Sequence, residues 1–271
     1  MSTRTGFDAS LDAVEIDLLC TYAGVPAPFP LRPRSVGATE VERRMHFGAA
    51  RERLAARGLA DERGPLGVAE ILVHLLKSCP TALDLMLAIG ARRLGALLLA
   101  HRGEALLAVC ELDGPDHTAG LIALPPDDAV DELLLLLPEL DAAKITPFTM
   151  PRGALVKVYR ELLNRGRGGM GRYELDDLLG AHGIDERLAD RMVTQLQPVL
   201  GNGQAGLARR AGYAGAWRRV GEELRWLDTE RGRLRLGGNA EWTSVNPLFP
   251  NELYSAIRQL AASVGRNLDT G

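Results

Sequence analysis

The stretch ALDLMLAIGARRLGALLLAHRGEALLAVCELDGPDHTAGLIA, residues 82–123, decides the fold class. Its apolar segments LDLMLAI, LGALLLAH, EALLAVCEL and HTAGLIAL are short, and the breaks between them contain glycine. Alanine and leucine suit a helix as well as a strand, so composition leaves the choice open. Turn spacing settles it, because HRGE and DGPDH are hairpin turns, and the stretch reads as a meander of antiparallel strands.

On the C-terminal side, Pro125, Pro126, Asp127 and Asp128 open a helix with acidic residues in its first turn, ending at Pro138; a strand, KITPFTM, follows. On the N-terminal side, Val68 to Ser78 is an amphipathic helix through Ile71, Leu72, Leu75 and Leu76, ended by Pro80. Further back, Thr39 and Glu42 form a T-x-x-E capping box for VERRMHFGAARERLAARG, which reaches a C-cap at Gly58. Ser10 precedes an earlier helix with Leu11, Val14, Leu18 and Leu19 near one face, stopped by Gly24 and Pro26; PAPFPLRPRSVG is then an extended connector.

Residues 151–200 read as three short helices, GALVKVYRELLNR, RYELDDLLGAHG and DERLADRMVTQLQPVL, the makings of a small bundle. Strands return at GQAGLARR, EELRWLDT, GRLRLG and EWTSVN, with TERG as a turn, before a helix near Pro250 whose Leu253, Ile257 and Leu260 share a face. Strands closed by a helix thus occur over 82–137 and again over 203–266, without the identity of a sequence repeat.

Composition narrows the function classes. With 271 residues, 46% of them hydrophobic, the chain can bury a substantial core. Lys and Arg number 32 against 35 for Asp and Glu, a net charge of -3, which gives no overall attraction to nucleic acid or anionic lipid. Cys20, Cys79 and Cys110 are odd in number and far apart, which argues against a disulfide framework or zinc site and for a reducing cytosol. MSTRTGFDAS lacks the apolar region of a signal peptide, and apolar runs such as Leu133 to Leu137 are far shorter than the roughly 18 residues a membrane helix needs.

Motifs of chemistry each have a plainer reading. Gly166, Gly168 and Gly171, and again Gly201, Gly203 and Gly206, spell G-x-G-x-x-G, but neither lies between a strand and a helix N-terminus, where a dinucleotide phosphate would bind. Both read as loops or turns. The tract RGRGGMGR, with Arg165, Arg167 and Arg172, has no interleaved aromatics to stack on bases and reads as an interhelical loop. His46, His74, His101, His117 and His182 show no metal spacing, and no G-x-S-x-G elbow occurs. The pairs Asp127–Asp128 and Asp176–Asp177 sit in first turns of predicted helices, where the dipole accounts for them. Tyr213, Trp217, Trp226 and Trp242 cluster in the C-terminal strands, as sheet core or as interface anchors. The expectation is a protein with no catalytic site, no cofactor and no metal.

Taken in order, the connector PFPLRPRSVG with the TEVERR helix start, the helix end ARGLAD, the hairpin AHRGEALLAV, the stretch GNGQAGLA and the hairpin WLDTERGRLRL resemble the EspG family of type VII (ESX) secretion in actinobacteria. The resemblance covers nearly the whole chain and departs at Ala205, where the family usually carries a bulky residue. It implies an α+β fold: a twisted, mostly antiparallel sheet with quasi-two-fold related halves, flanked by helices and a helical bundle in the C-terminal half. It further implies one domain over residues 1–271, with halves of about 1–150 and 151–271, and a cytoplasmic chaperone that shields a helical PE–PPE-like pair before export. A WXG-type helical hairpin is the other helical substrate of this kind. Such a partner would lie on the region from Arg152 to Leu200 and the strands after Gly203, where Met170, Met192, Leu196 and Trp217 are the candidate contacts, the methionines for their adaptability. No nucleic acid and no membrane partner is expected. Two rival expectations are a small-molecule enzyme with its site between the halves, and a homodimer paired through strand edges.

Overall fold

The computed structural model describes residues 6–32, 37–114, 118–153, 173, 177, 180–181, 184, 186–212 and 215–265. The chain divides into two compact units. The first takes residues 1–138, 204–223 and 254–271; the second takes 139–203 and 224–253.

The first unit opens on a short strand, β1 (Ala9–Leu11), and helix α1 (Ala13–Ala23). The helix expected behind Ser10 therefore begins later. Asp12 is its cap: Asp12 Oδ1 accepts from the Val14 and Glu15 amides at 2.9 Å each, and the Glu15 carboxylate takes the Asp12 amide at 3.0 Å. That closed capping box outcompetes Ser10, and β1 is left to pair with a strand. Helix α2 (Glu40–Ala56) starts at the Thr39–Glu42 box, as expected. It buries only Ala50 and Leu54, and its basic residues fasten it to α1. Arg53 and Arg57 reach the buried Glu15 at 3.3 and 2.7 Å, and Arg43 reaches Asp17 at 2.8 Å. A small ladder of β2 (Ala60–Asp61) and β3 (Gly64–Pro65) leads to α3 (Val68–Ser78), whose bounds match the sequence reading.

The decisive stretch is a meander of β4 (Thr81–Ile89), β5 (Arg92–His101), β6 (Glu104–Glu111) and β7 (Ala119–Leu124), each antiparallel to the next. Its second turn places Arg102 and Gly103 at φ of 48° and 88°, the two left-handed positions of a tight hairpin. Leu97, Leu99, Leu106 and Ala108 join the core under α1, α2 and α3. Helix α4 (Pro126–Leu134) packs against β5, β6 and β7. It stops short of Pro138 because Leu136 and Leu137 bond back only three residues, to the Leu133 and Leu134 carbonyls. Strand order in this unit is β1-β7-β6-β5-β4, followed by parts of β9 (Val199–Arg210) and β10 (Trp217–Thr229).

The second unit holds β8 (Phe148–Pro151), α5 (Glu186–Leu196), the other parts of β9 and β10, then β11 (Gly232–Gly238) and β12 (Trp242–Pro247). Its strands run β9-β10-β11-β12-β8, antiparallel where the register is fixed. Helix α6 (Pro250–Ala261) follows, its first residues, 250–253, in this unit and the rest in the first. The last helix expected over 151–200 ends earlier than read: Pro198 supplies no amide and Val199 already opens β9. The first of the three expected helices after its opening Gly153, and most of the second, lie outside the described residues. Phe148, Met150, Leu196, Leu234 and Val245 form the core of this unit. Beside it Arg233, 1% exposed, grips the buried Asp228 through a guanidinium fork at 2.7 and 2.9 Å.

The second G-x-G-x-x-G is neither loop nor turn; it lies inside β9. A β-carbon on Gly203 would overlap the six-membered ring of Trp226, and one on Gly206 would stand 2.9 Å from the Arg219 Nη1. These glycines keep β9 bare so that side chains of β10 can lie across it. Gly203→Ala is accordingly expected to destabilise the protein by about 2 kcal/mol, a Tm fall of about 6 °C, measured by thermal unfolding; an unchanged Tm would refute the packing role.

Candidate partner interface

Trp217 sits at the start of β10 in the first unit, half-buried, and closes the end of the proline-rich connector onto the sheet. Its indole N–H donates to the Pro26 carbonyl at 2.9 Å, and the Arg210 guanidinium lies 5.7 Å from the ring centroid. Beside it opens a cavity of about 250 Å³ lined by Pro26, Phe29, Asp84, Trp217 and Arg219 among others. Phe29, at its edge, is 45% exposed. The residues bounding this opening are thus aromatic at the rim and charged at the base.

The base is an ion pair that spans three strands. Asp84 stands alone among the apolar residues of β4 and is 1% exposed. Arg219 of β10 reaches over Gly206 of β9 and donates Nη2 to Asp84 Oδ1 at 2.8 Å and Nη1 to Asp84 Oδ2, while its Nε lies 2.8 Å from Glu223. Burial pushes the Asp84 carboxyl above the ordinary carboxylate range, while Arg219 pulls against that shift through its hydrogen bonds and charge. For Arg219 itself, burial favours losing the charge, but Asp84 and Glu223 together outweigh it and raise the pKa. The geometry is that of a charged, two-pronged pair.

Of the residues singled out by sequence, Met192 and Leu196 share one face of α5 in the second unit. Leu196 is buried in that unit's core with Met150 and Leu234, and Met192 packs partly buried against the same cluster. Trp217 belongs to the first unit, and Met170 lies outside the described residues. The second unit exposes Trp242 on β12, which the sequence reading had singled out as core or interface anchor, and three apolar groups that it missed: Val199 and Leu200 at the start of β9 and Phe249 before α6, between 43% and 53% exposed. Alternation in WTSVN could have flagged Trp242 as outward-facing.

The remaining reactive groups are held in unreactive forms. Burial raises Cys20 and Cys79 to about 12 and Cys110 to about 11, so all three are thiols at neutral pH. Among the described residues no group of three or more His, Cys, Asp and Glu converges in a way that could hold a metal ion. No helix among them is long and apolar enough to cross a membrane.

Arg219→Met tests the pair. It removes the Arg219 hydrogen bonds and charge, the main influences that lower the Asp84 pKa, and leaves desolvation and Glu223 opposed only by a weaker backbone hydrogen bond, so the folded-state pKa climbs further above the unfolded value. A carboxyl raised on folding loses stability as pH rises through that range, so the deficit against wild type should grow from about pH 4 to neutral pH. At pH 7 it should reach about 3 kcal/mol, the low end for a broken buried pair because the Arg219 side chain is 31% exposed. Denaturant unfolding at both pH values checks this, and Asp84→Asn in the same background should flatten the dependence.

No curated protein sequence matches the chain. Among solved structures, its fold is similar to that of the Mycobacterium tuberculosis type VII secretion system chaperone EspG5, determined in complex with a PE25–PPE41 dimer. The TM-score is 0.60 at 10% sequence identity, covering 93% of this chain and 95% of that one. The likeness fixes an α+β fold built on a large antiparallel sheet flanked by helices. The model of the EspG family matches residues 12–259, and the chain belongs to that family.

Proposed function

We propose that the protein is a chaperone of type VII secretion that binds a PE–PPE-type helical pair in the cytoplasm and shields its apolar surface until export. The observation that carries this reading is the family match over residues 12–259, nearly the whole chain, rather than over one shared motif. The solved relative that shares the fold was captured with such a pair. The reading includes no catalytic step.

The finer architecture belongs to the same proposal. One domain spans residues 1–271, its halves, about 1–150 and 151–271, are related by a quasi-two-fold axis, and a helical bundle occupies the C-terminal half. Element order supports the symmetry: four successive strands, β4 to β7 and β9 to β12, are each followed by a helix that starts on proline, Pro126 and Pro250. Met170, Met192, Leu196 and Trp217 remain the proposed contacts. Trp217 has the best claim among them, since its ring is large, half-buried and fixed at one end, as an interface anchor should be.

Co-expression with a PE–PPE pair from the same genome, followed by size-exclusion chromatography, tests the function. A co-eluting complex that keeps an otherwise insoluble pair in solution is expected; separate elution with the protein as a dimer would favour self-association instead. Within a complex, Trp217→Ala should weaken binding at least tenfold by calorimetry. A Tm recorded in parallel separates lost contact from lost fold.

A further inference from the structure

The first unit carries a second concavity, of about 690 Å³, at the C-terminal end of α3. Its charged lining is wholly basic: His74, Lys77, His101, Arg102, Arg209 and Arg210 face it, with no Asp or Glu in the wall among the described residues. Glu104 stands near the rim, 3.8 Å from His74. Sequence spacing had kept the two histidines apart; the β5–β6 hairpin brings His101 and Arg102 round to α3.

Arg210 is the fixed member. It is 8% exposed, and its Nη1 and Nη2 donate to the Leu76 and Lys77 carbonyls at 2.8 and 2.7 Å, which caps the negative end of α3. The helix end therefore does not neutralise the cavity. Lys77 and Arg102 are exposed and have no ion-pair partner among the described residues. Lys77 and Arg102 thus place two exposed positive charges on one concavity, in a chain whose net charge is -3.

We propose that this cavity is a docking site for an acidic, extended segment of a protein partner. The volume is that of a ligand site. A compact phosphate needs a preset cradle of convergent donors, and here the Arg210 prongs are engaged by carbonyls and the Gly265 amide by Thr81, which leaves exposed side-chain cations such as Lys77 and Arg102 rather than a cradle. Nucleic acid needs stacking surfaces, and among the described residues the lining offers no Phe, Tyr or Trp. What remains is dispersed positive potential along an open cleft, which matches carboxylates spaced along a chain. The site is independent of the chaperone reading, and its test uses no PE–PPE pair.

The full-length protein is titrated into labelled hexaglutamate and followed by fluorescence anisotropy, at about 20 mM and about 150 mM salt. Binding is expected at low salt, several-fold weaker at the higher, and at least tenfold weaker in Lys77→Glu/Arg102→Glu with an unchanged Tm. If that double variant fails to fold, Lys77→Gln/Arg102→Gln serves in its place. Absence of binding, or binding that survives loss of both charges, overturns the proposal. So does displacement by tripolyphosphate at equal charge concentration, which would mark a compact-anion site, or tighter binding of a single-stranded oligonucleotide, which would mark a nucleic-acid face.

Discussion

The contact on which the first unit's sheet depends is the reach of Arg219 across β9 to Asp84 on β4. An aspartate in the middle of an apolar strand would be ruinous without a counter-charge, because a buried unpaired carboxylate costs several kcal/mol. The counter-charge sits two strands away, so the strand between must carry no side chain in the path. Gly206 meets that condition, since even a β-carbon there would stand 2.9 Å from the guanidinium. In the second unit, Gly203 makes the same kind of room for Trp226. A sequence that resembles a nucleotide-binding motif is thus a packing device.

Charge does the fastening elsewhere too. Helix α2 buries only Ala50 and Leu54, too little apolar surface to hold a helix of 17 residues on its own. Arg43, Arg53 and Arg57 supply the rest by pairing with Asp17 and the buried Glu15 on α1. Glu15 serves twice, as the third residue of the α1 capping box and as the acceptor for α2, so helix initiation and helix docking rest on one carboxylate.

Local signals were legible and long-range ones were not. The Thr39–Glu42 box, the bounds of α3 and the hairpin at Arg102–Gly103 follow from residues within a few positions of each other, and all three were readable. The β4–β7 strands lacked clean alternation because both faces of β5 are covered: residues 94–99 are buried without a break, so only the turns marked them as strands. Strand β1 was hidden because a three-residue edge strand has no period of its own. The Asp84–Arg219 pair joins residues 135 apart, and nothing near Asp84 announces its partner; a lone carboxylate within LDLMLAI is the only local hint. Equally, Leu196 carries the periodicity of a helix face, but periodicity does not say whether that face meets its own core or a partner.

The same rigidity bears on how a reversible chaperone could work. Association loses free energy when loops and side chains must be ordered, and a platform already fixed by ion pairs avoids most of that loss. Trp217, the anchor proposed above, is already held within the chain, at its indole by Pro26 and over its face by Arg210. Binding can then rest on a small number of preset anchors rather than on a large apolar interface. Such a complex is selective through the placement of its anchors, yet keeps a dissociation rate that permits release, since most differences in affinity between related complexes reside in that rate. An extensive greasy face would shield an apolar partner equally well, but it would hold the partner too long for export and would invite self-association in its absence.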